Sequence, residues 1–123
     1  MNDNDKYNIN ADIKYDYLQI IDIPDIVNNC TDKWFNQTLC KVNDSLLRLG
    51  ILDGEFHWHK HDKEDEVFFV LEGKLIIETE KGNFELDKNK GICIPKGLMH
   101  RPVTKDKVIV LMIESNTVKP TGD

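Results

Sequence analysis

Arginine is nearly missing from the chain, with Arg48 and Arg101 alone among 123 residues, so a site that grips phosphate with a bidentate guanidinium has two candidates at most. No Lys/Arg cluster stands out, and 16 Lys+Arg against 22 Asp+Glu leave a formal charge of -6. That balance argues against nucleic acid as a partner, because phosphate contacts need a basic face. No apolar run approaches the ~20 residues that span a bilayer. The first ten residues have neither the basic start nor the apolar stretch of a secretory signal, and a cytoplasmic setting is expected. Cysteine is sparse: Cys30, Cys40 and Cys93 are odd in number and form no CxxC pair, which excludes a disulfide framework or zinc ribbon and leaves reduced thiols in or near the core. Internal repeats and low-complexity linkers are also lacking, and the length suits one domain.

What the chain has is a succession of short β-rich runs cut by turn residues. Trp34 to Val42 ends at Asn43-Asp44-Ser45, Leu46 to Leu52 at Asp53-Gly54, and Glu66 to Leu71 at Glu72-Gly73. Lys74 to Thr79, Phe84 to Leu86, Ile92 to Ile94 and Val108 to Ile113 complete the series. Strands this short and evenly spaced predict an antiparallel sandwich or barrel, not βαβ units. Residues 1–33 read as an extension packing on the barrel, with a short strand or helical turn near Leu18 to Val27 where Pro24 interrupts an apolar stretch. The barrel is expected over 34–115 and a polar tail over 116–123.

All four histidines fall in two places: His57, His59 and His61 in Glu55-Phe-His-Trp-His-Lys-His-Asp62, and His100 in Pro95-Lys-Gly-Leu-Met-His-Arg101. In an extended strand the first three share a face, with Phe56, Trp58 and Lys60 on the other. Glu66 follows at the start of the next apolar run. Imidazoles and a carboxylate that converge are ligands for Fe, Mn, Co, Ni, Cu or Zn. Three alternate histidines are also compatible with a plain solvated strand face.

The pattern resembles the cupin family, which carries two such motifs. The first resembles Gly54-x4-His59-x-His61-x4-Glu66-x6-Gly73, and the second Gly91-x3-Pro95-x-Gly97-x2-His100. Two positions depart from the usual form: the leading glycine stands one residue late, after Asp53, and Thr104 replaces an asparagine. The likeness covers about residues 34 to 115. The string through His61, Asp65-Glu66 and Pro120-Thr-Gly-Asp123 is similar to small stand-alone bacterial cupins, some loosely compared with mannose-6-phosphate isomerase.

The resemblance implies an all-β double-stranded jelly-roll barrel (RmlC-like), a divalent transition metal held by His59, His61, Glu66 and His100, a small-molecule ligand at the ion, and a homodimer. Since each histidine must be neutral to bind, metal occupancy is expected to fall through the usual imidazole range near ~6.5. His57 is left over, either as a possible acid/base in a lined pocket, a fifth ligand, an outer hydrogen-bond donor or a structural residue. A metalloenzyme of isomerase or dioxygenase type and a non-catalytic metal or ligand sensor both fit. A phosphosugar site is weakly supported, since Arg101 should point away from the ion and the face of Arg48 is undetermined.

Overall fold

A computed structural model describes residues 7–123. Nine strands and one short helix follow in the order β1 (Asn8–Asn10), α1 (Ile23–Asn28), β2 (Phe35–Val42), β3 (Ser45–Leu52), β4 (Glu66–Glu72), β5 (Leu75–Thr79), β6 (Gly82–Leu86), β7 (Gly91–Ile94), β8 (His100–Val103) and β9 (Val108–Ser115). One sheet runs β1-β2-β3-β9-β4-β7 and the facing one β6-β5-β8. The barrel is all-β, as the strand spacing predicts.

Period-2 burial fixes which residues face inward. Along β9, Val108, Val110, Met112 and Glu114 are buried; along β4, Glu66, Phe68 and Val70; along β5, Leu75, Ile77 and Thr79. The apolar members form the inner core with Leu52, Leu86, Ile94, Tyr7 and Trp34. A second cluster, Ile26, Leu39 and Leu49, lies on the outside of the large sheet beneath α1. That helix starts where its sequence directs: Asp22 caps it by accepting from the Asp25 amide at 3.1 Å, and Pro24 occupies the first turn, where a missing N–H costs nothing. The stretch before it is pinned to β2 by Lys14 and Tyr15 amides donating to Thr38 and Leu39 carbonyls.

β8 is missing from the series of runs read from the sequence, although strand parity was applied to Arg101, and Pro102 is tolerated there because β8 edges its sheet. The outer edge of β8 is covered by residues 54–59 through isolated bridges, Glu55 to Val103 and His59 to His100. Gly54 and Thr104, the two residues at the departures from the motif, hold each other: the Thr104 amide donates to the Gly54 carbonyl at 2.7 Å and the Gly54 amide to Thr104 Oγ1 at 2.8 Å. Cys93 is exposed, unlike the half-buried Cys30 and Cys40, because it lies on the outward parity of β7, so the expectation of thiols in or near the core is corrected there.

Candidate metal centre

His59 and His100 are direct cross-strand neighbours. Their backbones exchange hydrogen bonds at 3.0 and 2.9 Å, and their rings lie 4.4 Å apart. Glu66 opens β4 and reaches in from the facing sheet, so it is Glu66, and not His100, that comes from across the barrel. His61 follows in a stretch tied down by the Gly97 amide, which donates to its carbonyl at 2.8 Å. All four side chains are buried, and one ligand atom from each lies within 4.8 Å of the others, a group that can hold a metal.

The polar atoms of this group fit a cation. His59 and His100 direct Nδ1 at the carbonyls of His57 (3.0 Å) and Leu98 (2.9 Å), which fixes the proton on Nδ1 and leaves Nε2 as a lone-pair donor. Glu66 Oε1 stands 3.7 Å from His61 Nε2 and 3.6 Å from His100 Nε2. These three atoms are buried and have no hydrogen-bond partner among the described residues. Orphaned buried acceptors cost about 1–3 kcal/mol each, and three converging on one point are what a metal ion relieves. Burial pushes the His59 imidazole down to about 3 and lowers His61 and His100 as well, so the rings are neutral ligands and not partners in ion pairs with Glu66.

Behind Glu66 lies a charged network that the sequence reading missed. Glu114 is its register partner on β9. Burial first, then the neighbouring Glu66 carboxylate, push Glu114 up to about 9, so at neutral pH Glu114 keeps its proton. Arg48 is 2% exposed, and its Nε donates to Asn36 Oδ1 at 2.7 Å and lies 3.3 Å from Glu114 Oε1. The guanidinium therefore faces inward, with Nε engaged by the protein's own groups and Nη2 without a hydrogen-bond partner among the described residues. The parity of Val108, Val110 and Met112 was the available signal for Glu114. Arg101 points outward, bonded to Glu78 (2.7 Å) and stacked over half-exposed Trp58, as strand parity predicts.

His57 stands outside the four. Its Nε2 lies 2.6 Å from the Thr121 carbonyl and its Nδ1 3.3 Å from the Tyr7 hydroxyl, so the proton sits on Nε2 and Nδ1 accepts. Phe56 does not take the opposite face, as strict alternation predicts. Residues 55–61 touch β8 at two bridges only and are not a regular strand, so the Phe56 ring turns to stack on His57 at 4.3 Å and packs on Tyr7 and Trp34. Phe56, Trp34, Phe68, Met112 and Pro120 line a cavity of about 40 Å³ that reaches His59 and Glu66. Residues 120–123 run alongside it, with Gly122 against His59. Asp123 donates its amide to the Lys60 carbonyl at 2.9 Å and accepts from the Asp62 amide at 2.6 Å.

Comparison with known proteins agrees with this fold. The chain is 38% identical over 90 residues to the uncharacterized protein YdbB of Bacillus subtilis (strain 168), covering 72% of this chain and 80% of that one. The crystal structure of a cupin-2 domain containing protein from Shewanella frigidimarina superposes with a TM-score of 0.74 at 33% identity, over 78% of this chain and 94% of that chain. Protein NMB1881 from Neisseria meningitidis shares the fold, with a TM-score of 0.71 at 21% identity, over 79% of this chain and 99% of that chain. The Cupin domain model matches residues 51–114, and the chain belongs to the cupin family.

Proposed function

We propose that His59, His61, Glu66 and His100 hold one divalent transition metal and that the protein acts on a small molecule bound at that ion. The observation that carries this reading is the set of three orphaned buried atoms, Glu66 Oε1, His61 Nε2 and His100 Nε2, facing one another while Nδ1 of His59 and of His100 is tied to a carbonyl. A bound ion supplies Lewis acidity for an isomerisation or, if it is iron, redox chemistry with dioxygen. The protein's own part is to orient the ligands, to hold Glu66 through Glu114 and Arg48, and to keep the ion beside an apolar wall. As the acid/base candidate, His57 can move a proton only after Thr121 releases its Nε2. The same reading includes a cytoplasmic homodimer, the dimer supported by exposed Phe69 and Ile113 on the outer face of the large sheet.

The test is a titration of metal-free protein with Co(II), followed by azide and then by a substrate screen under air and under nitrogen. One equivalent of Co(II) with absorption bands that azide shifts is the expected result, and it shows an open coordination position. No stoichiometric uptake contradicts the reading. His57→Ala then separates the two classes: an enzyme using His57 keeps its ion and loses turnover, whereas a binding module keeps both ion and ligand affinity.

A further inference from the structure

His61 differs from its two partner histidines. They direct Nδ1 at backbone carbonyls, but His61, 2% exposed and with Nε2 facing Glu66, has no partner for Nδ1 among the described residues. A ring nitrogen of His61 and one carboxylate oxygen each from Glu64 and Asp123 lie within 4.8 Å of one another. Both carboxylates are already held: Glu64 Oε2 accepts from Thr117 Oγ1 at 2.7 Å, and Asp123 Oδ2 accepts from the Asp62 amide at 2.6 Å. A second cation is the competing occupant, and imidazole chemistry weighs against it. With Nε2 given to one ion, Nδ1 ligates another only by losing its proton. A neutral ring keeps that proton and needs an acceptor, and a carboxylate is a strong one.

We propose that residues 120–123 are a clasp over the metal centre, and that Asp123, with Glu64, accepts the Nδ1 proton of His61 through one water. This rests on the reading of His61 as a ligand. The clasp is seated at three further points. Pro120 lines the cavity, and the Thr121 carbonyl meets His57 Nε2. Gly122, at φ +95°, lies so close to His59 that a Cβ would stand 2.5 Å from the His59 Cβ, so only glycine fits. Beside Pro120 the cavity of about 40 Å³ admits little more than a water.

The experiment measures Zn(II) affinity by chelator competition, and Zn(II) release rates, for the full chain and for Asp123→Ala, Asp123→Asn, Glu64→Ala and the double alanine variant. The double variant is expected to lose about 10–100-fold in affinity and to release the ion faster. Asp123→Asn keeps an acceptor oxygen and should retain most of the affinity that Asp123→Ala loses, with the metal-free thermal midpoints of all variants near the parent's. Unchanged affinity in the double variant overturns the proposal. So does an equal loss for Asn and Ala accompanied by an equal fall in the metal-free midpoint, which marks a merely structural role. Two equivalents in the parent, dropping to one in the double variant, establish a second cation instead. If the parent takes up no Zn(II) at all, the ligand set itself fails, an outcome distinct from a parent that binds and variants that do not differ.

Discussion

Each imidazole at the centre is held neutral by its surroundings, and this determines how the metal-free protein answers to pH. An unfolded histidine titrates near ~6.5, while burial pushes folded His59 down to about 3 and lowers His61 and His100. Below that range the unfolded chain takes up protons that the folded one refuses, so stability falls as pH drops, by up to about 1.4 kcal/mol per unit for each histidine. The carboxyl pair acts in the opposite direction. Burial raises Glu66, and Glu114 reaches about 9, above the unfolded value near ~4.3. Its contribution is full below the unfolded value and is lost as pH rises towards 9. Between about 4.5 and 6.5 the two effects partly cancel. Urea titrations of metal-free protein should therefore show a maximum in that window, with a decline on both sides, and a steady rise from pH 5 to pH 9 contradicts this assignment. The same burial shifts the expected loss of metal occupancy below the ordinary histidine range near ~6.5 from which the sequence argument started.

At the scale of elements, the turn between β4 and β5 shows how tightly strands and connections are matched. Gly73 has φ +88°, and a Cβ there would stand 2.9 Å from the Lys107 carbonyl and 3.0 Å from Val108 Cγ2. Gly73→Ala should cost about 1–3 kcal/mol, read as a lower urea midpoint at unchanged slope and with metal uptake intact. A midpoint equal to the parent's contradicts the backbone argument. Glycine at this turn was legible in the sequence, as were the strands with clean alternation such as β4 and β9. β8 was legible only in part: strand parity placed Arg101, but its bounds depend on an edge position that admits Pro102. The turn of Phe56 towards His57 was not legible, since alternation assumes a paired strand and residues 55–61 pair with β8 at two bridges only. The four candidate ligands were legible through motif spacing, whereas Arg48 and the clasp were not, because register and tertiary closure decide which way a side chain faces.

Taken whole, the molecule keeps its interior apolar at one end and polar and ionisable at the other. Leu75, Ile77, Val70, Val108 and Val110 fill the dry end, all at most 1% exposed, while Arg48, Glu114, Glu66 and the histidines share the other. Buried polar and ionisable groups stabilise little by themselves, and stripping one partner from such a network is costly. The arrangement makes sense if an ion completes it. The most direct measurement is elemental analysis of protein purified without affinity tag or chelator, beside the Glu66→Gln and His100→Ala variants, each checked for fold by circular dichroism. The account predicts close to one equivalent of a single transition metal in the parent and its loss from both folded variants. Equal metal content in parent and variants, or a parent that stays empty after incubation with iron, manganese, nickel, cobalt, copper and zinc salts, contradicts it.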